Sequence, residues 1–351
     1  MTAYGGEEMS PPRFGKVFIS VKPRNGDFLS DETKRELVQR LKSYAVAGIV
    51  PEFVDLKYLY VEINTTPYYN TNLNDNPESL KTGISNALTQ YSRSIDVNKF
   101  GGRFKYSKAG SLIDSVDSSI TSNITLVTIR RNLRAVLGQF AQYEICFGNM
   151  FHTQESSYNV VSTGFTIEGV TGTVYLADEV INREKGRIFF FTYTEGGTPN
   201  IIKKNAGTVD YMHGEVLIDT VNILSTVIAN GVIEIQAIPH SNDIVGLRDL
   251  YVKFDMTNTT INMVQDLIAS GENTSGSRFV HTHSYYTPTF TRKSNSPVTT
   301  GSTLLPSTAS STGTTTSSSG TYATSTTTSS TTTTTTTSSG GGGGSSSGGG
   351  Y

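Results

Sequence analysis

Lys16-Val17-Phe18-Ile19-Ser20-Val21 and Leu56-Lys57-Tyr58-Leu59-Tyr60-Val61-Glu62-Ile63 are the two runs on which the reading of the fold turns. Each alternates at period two and is rich in β-branched and aromatic residues, as a strand packed on one face should be. The alternation points Val17, Ile19 and Val21 toward a core, and likewise Leu59, Val61 and Ile63. A helix signal lies between them. Ser30 is a suitable N-cap, because its hydroxyl accepts a backbone N–H of the first turn. Asp31 and Glu32 put negative charge at the positive end of the helix dipole. Leu37, Val38, Leu41, Tyr44 and Ala45 form one apolar stripe, and Gly48 is a stop signal. The spacing therefore predicts a βαβ crossover from the first run to the second.

The same mixture continues to about residue 135. A polar connection is expected over 64–76, carrying Pro67 and the adjacent Tyr68 and Tyr69. Asn76 and Pro77 then suit the N-cap and first position of a helix running to about Ser92, with Leu80, Ile84, Leu88 and Tyr91 on one face. A shorter amphipathic helix is expected near 107–116, with Leu112, Ile113 and Val116 as its apolar face. Residues 124–130 read as a third strand. Residues 1–135 thus read as a compact α+β domain.

From 136 to 275 the character changes to short β runs. They fall at 160–167, 173–176, 187–193, 207–211, 215–218, 232–238 and 250–254, separated by turn formers, as in a sandwich or rolled sheet. Residues 211–215 read as a hairpin turn. Ile188-Phe189-Phe190-Phe191 is apolar on both faces, which suits a central or interface strand. Residues 276–351 read as a linker and a low-complexity tail. From Ser294 to the end there is no Lys, Arg, Asp, Glu or His, and five sizeable apolar side chains cannot offset the entropy of ordering so long a segment. The tail is expected to be disordered.

Composition narrows the function classes. The net charge of −2, with 17% charged residues, gives no basic stripe of the kind that binds nucleic acid. No stretch approaches a membrane span, and the polar N-terminus is not a secretory signal. Cys146 is the single cysteine, so no intramolecular disulfide or thiolate metal site is expected; between Ile145 and Phe147 it reads as a small buried apolar residue. His281-Thr282-His283 has metal-ligand spacing, but the nearest carboxylate in sequence is Glu272, so a polar strand end is the plainer reading. Asp114 and Asp117 are better explained as a solvated face and a helix-end turn residue than as an acid/base pair. Nothing forms a nucleophile elbow or a phosphate loop. The chain is expected to be no enzyme and to hold no cofactor, metal or small-molecule substrate.

Two clusters are candidate partner interfaces. Arg130, Arg131 and Arg134 form a basic group after the third strand, readable as a solvated strand end or as a docking patch for an acidic neighbour. Tyr68 and Tyr69 suit an interface loop, although tyrosines also pack on their own domain.

The chain also resembles a known family. Tyr4-Gly5-Gly6-Glu7-Glu8, followed by Pro11-Pro12-Arg13-Phe14-Gly15-Lys16-Val17-Phe18-Ile19, is similar to the entry of the J-like domain of phage baseplate wedge subunits. Gly48-Ile49-Val50-Pro51-Glu52-Phe53-Val54-Asp55, Ser118-Ser119-Ile120-Thr121-Ser122-Asn123-Ile124-Thr125 and Ser241-Asn242-Asp243-Ile244-Val245-Gly246-Leu247-Arg248-Asp249 are similar in the same order. The nearest resemblance is to the C-terminal part of the large inner-ring wedge subunits of T-even-like contractile-tailed phages. It covers about residues 4–256, and no single motif in it is a chemical signature. Those subunits carry a long N-terminal half before this motif, so the chain is expected to be a fragment, a split-gene product or a shortened relative. The resemblance implies a J-like α/β sandwich domain ahead of the β-rich one, and a structural role in the virion tail after assembly in the host cytoplasm. It also implies pairing with copies of itself and other wedge proteins, joining wedges into a ring around the tail hub. A receptor- or carbohydrate-binding tail component is the alternative expectation.

Overall fold

A computed structural model describes residues 1–271, except 9–11, 24–25, 27, 45–47, 196 and 248–249. The expectations for His281, His283 and the tail fall outside these residues. The chain opens with β1 (Thr2–Gly5), β2 (Lys16–Ser20), α1 (Asp31–Lys42) and β3 (Val50–Phe53). Next come β4 (Lys57–Tyr69), α2 (Pro77–Ser92), β5 (Arg103–Phe104), α3 (Tyr106–Asp114), β6 (Ile120–Arg134) and β7 (Phe140–Cys146). The rest is strand: β8 (Val160–Ser162), β9 (Phe165–Ile167), β10 (Tyr175–Val180), β11 (Lys185–Tyr193), β12 (Pro199–Asp210) and β13 (Glu215–Thr226). It ends with β14 (Val232–Ala237), β15 (Ile244–Val245), β16 (Leu250–Phe254), β17 (Thr260–Ile261) and β18 (Val264–Gln265). The fold is sheet-rich, with three α-helices among the described residues.

The predicted crossover exists, but it closes one strand earlier than expected. β2 pairs in parallel with β3, and β1 joins its other edge, making a separate three-stranded sheet. β4 belongs to a different, thirteen-stranded sheet. The residues read as a lead-in, Val50 to Phe53, are therefore the second strand of the βαβ unit. Within β2 it is Phe18, Ile19 and Ser20 that are buried, while Val17 is only half buried. Phe18 stacks on Tyr4 of β1 at 5.8 Å, so the added strand gives that face a cover the alternation alone does not foresee. α1 is capped as expected, with Ser30 Oγ accepting from Thr33 N at 3.2 Å. None of its residues is buried; Leu37, Val38 and Leu41 are half covered.

The large sheet is built on the antiparallel ribbon of β4 and β6, in register from Tyr60 opposite Arg130 to Tyr68 opposite Ser122, with a shift before Tyr69 opposite Ile120. One face matches expectation. Leu59, Val61 and Ile63 sit in the main core with Ile84, Leu88 and Tyr91 of α2 and Ile113 of α3. The α2 start is also as expected, with Asn76 Oδ1 accepting from Ser79 N and Pro77 in the first turn. β4 runs on through the stretch read as a connection. Pro67 is accommodated because β17 and β18, which pair with β4 around Thr65 and Tyr68, break between those positions. Beyond residue 135 the sheet continues without interruption: β14 pairs with β6, and β8, β10, β11, β12, β13 and β7 follow in order. The 250–254 run is β16, which pairs in parallel with β4. The 160–167 run splits into β8 and β9.

β11 is interior and covered on both faces. Ile188 and Phe190 enter the main core, and Phe189 and Phe191 enter a second cluster with Val161, Tyr175 and Ala177. The hairpin after β12 forms at residues 211–214. Gly214 has φ +66°, and a Cβ there would lie 2.0 Å from the Asn149 carbonyl oxygen.

Leu88 is fully buried at the centre of the α2 face. Leu88→Ala should lower unfolding stability by about 2–5 kcal/mol, read from the shift in the urea midpoint.

Candidate functional site

The sheet face opposite the α2 core carries charge. Across four adjacent strands the pleat turns Asp255, just past β16, together with Tyr60 and Glu62 of β4, Arg130 and Asn132 of β6, and Glu234 and Gln236 of β14 to one side. Arg130 is at the middle and only 4% exposed. Its Nε donates to Glu62 Oε1. Its Nη1 donates to Glu234 Oε1 at 2.8 Å and to Asn132 Oδ1 at 2.6 Å, and its Nη2 donates to Asp255 Oδ2 at 2.5 Å. The Tyr60 ring lies 4.3 Å from the guanidinium carbon, a cation–π contact. Gln236 Nε2 donates to the other Glu62 oxygen at 3.2 Å, and Asn258 Nδ2 donates to Asp255 Oδ2 at 3.1 Å.

One guanidinium thus faces three carboxylates. Burial would lower the Arg130 pKa, but the charges of Glu62, Glu234 and Asp255 outweigh it and hold the side chain charged. Burial also pushes the Glu62 carboxyl above its ordinary value despite Arg130 beside it. At Asp255 burial is outweighed by hydrogen bonds from Thr257 and the charge of Arg130, and the net shift is downward. Of these two, Glu62 is the carboxyl whose net shift is upward. A buried carboxylate outside this cluster, Asp178, accepts from Tyr211 Oη at 2.5 Å, Val160 N at 2.7 Å and Asn159 Nδ2 at 3.0 Å. Burial raises its pKa in spite of them.

The five residues expected at partner interfaces are not brought together. Arg130 is the buried hub just described. Arg131 is half buried, and its Nη1 donates to the Cys146 carbonyl at 2.5 Å. Tyr68 and Tyr69 are buried where β4 meets β6 and β18. Arg134 is exposed. The arginines alternate along β6, which sends Arg130 and Arg131 to opposite faces; a basic cluster in sequence is not one in space. Cys146 is half buried in β7 rather than buried. Asp114 accepts from Asn123 Nδ2, and Asp117 from the Ser119 N–H, which lowers its pKa. A cavity of about 930 Å³ opens beside the β10–β11 turn, lined by His152, His240, Tyr211, Met212 and the turn residues. Burial and the neighbouring His240 lower the His152 pKa. Among the described residues no three of His, Cys, Asp and Glu gather to hold a metal ion. Glu62, Glu234 and Asp255 were not singled out by sequence. For Glu62 and Glu234 the signal is a carboxylate at an alternating position within a strand; Asp255 lies just past β16.

Comparison with known proteins assigns the first part of the chain. Residues 1–54 match the family model of baseplate structural protein gp6, C-terminal domain I, and residues 57–132 match that of C-terminal domain III. The two matches meet where the chain passes from the small sheet to β4. Baseplate wedge protein gp6 of Enterobacteria phage T4 is 26% identical over 121 residues, which cover 34% of this chain. The matched region is about a fifth of that relative's length (18%). Residues 1–132 are thus similar to C-terminal domains of the baseplate wedge protein of T4-like phages.

Arg130→Met should leave two buried carboxylates and the half-buried Asp255 uncompensated and destabilise the fold by about 3–5 kcal/mol near neutral pH. Glu62 already has a raised folded-state pKa, so its stability contribution is present below its unfolded pKa and lost as pH rises through the folded one. Without Arg130 that loss deepens. Urea midpoints should therefore show a smaller penalty at pH 5 than at pH 8, and equal penalties would contradict the cluster's role.

Proposed function

We propose that this chain is a structural subunit of a contractile-phage tail baseplate. In this reading it is a wedge component that assembles with copies of itself and with other wedge proteins, and helps join wedges into the ring around the hub. The observation that carries the reading is the pair of family matches, in chain order, covering the small sheet and the β4–α2–α3–β6 unit. A J-like description of residues 1–135 belongs to the same proposal. So does the division at 135, as a unit of descent: the second match ends at residue 132, although β6 continues the sheet into β14. A mechanical role accords with a large sheet cross-braced by buried charge, and the proposed function is non-enzymatic. Of the five candidate interface residues, Arg134 is the one whose exposure suits a docking role.

The test is composition of the particle. Virions purified from a host that supplies an epitope-tagged chain should carry the tag in isolated baseplates, and cryo-EM should place its density in the wedges. A tag found only in unassembled lysate would overturn the reading.

Arg134→Glu should leave the melting temperature within a degree or two of the parent, since exposed substitutions are nearly neutral. Baseplate incorporation of the tagged variant should fall. Undiminished incorporation would remove Arg134 from the interface.

A further inference from the structure

Four soft donor side chains border one cavity. The chain has five histidines and six methionines, and His152, His240, Met150 and Met212 all line the space of about 930 Å³ beside the β10–β11 turn. The backbone brings them there from three separate segments. His152 N donates to the Ile238 carbonyl and His240 N to the Met150 carbonyl, both at 2.8 Å, on either side of a bridge between Phe151 and Pro239. In this short antiparallel pair Met150 lies opposite His240, and His152 lies diagonally from it. The pleat sends Met150, His152 and His240 to one side and Phe151 to the other, where its ring meets Phe147 at 5.0 Å. The Phe151 N–H donates to the Tyr211 carbonyl at 2.8 Å, which brings the 211–214 turn alongside and Met212 with it. His240 is near enough to His152 for their charges to interact.

The donor set selects the ligand. Among the described residues no carboxylate or thiol joins the two imidazoles in a metal-binding group, so imidazole nitrogen and thioether sulfur are the donors on offer. Hard cations such as Ca²⁺ and Mg²⁺ seek oxygen. Zn²⁺ sites usually add thiolate or carboxylate to histidine. Neutral imidazole and thioether together suit a soft ion, and Cu(I) above all. The cavity is also bordered by Glu155, Glu184 and Arg183, two carboxylates against one guanidinium, so its field favours a cation. Met212 and His240 are exposed, which leaves an ion a path of entry.

We propose that this cavity binds a soft monovalent metal ion, Cu(I), on the imidazoles of His152 and His240 and the thioethers of Met150 and Met212. All four donors are neutral, so the bound ion keeps its charge and the cavity's carboxylates balance it from outside the coordination shell. No sequence motif announces the set, because its members are brought together only by the pairing of 150–152 with 238–240 and the approach of the 211–214 turn. This inference is independent of the baseplate reading.

The test uses the full chain carrying Cys146→Ala, since the one thiol would otherwise compete for a soft ion. Under anaerobic conditions this protein should withdraw about one equivalent of Cu(I) from its coloured bicinchoninate complex, read by loss of absorbance. X-ray absorption at the copper edge should then show nitrogen and sulfur neighbours together; with Cys146 gone, that sulfur is thioether. Adding H240A and M212L, both at exposed positions, should abolish the uptake while the melting temperature stays within a degree or two of the reference. No uptake by the reference protein, a shell of nitrogen alone such as His281 and His283 could supply, or undiminished uptake by the H240A/M212L variant would overturn the proposal.

Discussion

The guanidinium of Arg130 is out of water, and that placement sets the terms for the strands around it. A buried cation is tolerated only when its donors find anions at close range. Here the anions come from three separate pieces of chain: Glu62 on β4, Glu234 on β14 and Asp255 after β16. A one-residue slip of any of these strands would turn its carboxylate to the opposite face. The cluster adds register specificity to a sheet whose apolar face would accept several alignments. The cluster holds more carboxylate than guanidinium, and burial raises the Glu62 pKa within it.

The two faces of the ribbon divide the work. On one, α2 and α3 close an apolar core over Leu59, Val61 and Ile63. On the other, polar side chains satisfy one another, so that Gln236 bridges Glu62 and Thr128. This second face joins the segment matched by a family model to strands contributed from beyond residue 230. β11 and β12 show the contrast between interior and edge. The former is covered by aromatic side chains on both faces, and the latter leaves two isoleucines and two lysines in solvent.

The small sheet is completed before β4 begins, within the same compact unit as the large one. Its ties to the large sheet include the edge-on contact of Phe28 with Tyr58 at 5.6 Å. The change of sheet between β3 and β4 coincides with the change of family model between residues 54 and 57.

Local signals were legible wherever one residue type had one physical use. Ser30 and Asn76 as caps, Pro77 in a first turn, the α2 stripe, the 211–214 hairpin and the doubly apolar β11 all follow from nearest-neighbour chemistry. Alternation also identified Leu59, Val61 and Ile63 as core. Partner choice was not legible, because a strand's pattern says which face is apolar and not which strand lies beside it. β2 therefore joined β3 rather than β4, and Pro67 lay within a strand because its neighbour strand is interrupted there. The basic run on β6 was visible as composition, yet only the pleat separates Arg130 from Arg131, and only long-range pairing brings Glu62, Glu234 and Asp255 to Arg130. The sequence by itself determined α1, α2, the middles of β2, β4, β6 and β11, and one apolar face. The tertiary structure decided which charges are buried together, since that depends on residues up to 125 positions from Arg130 meeting across four strands.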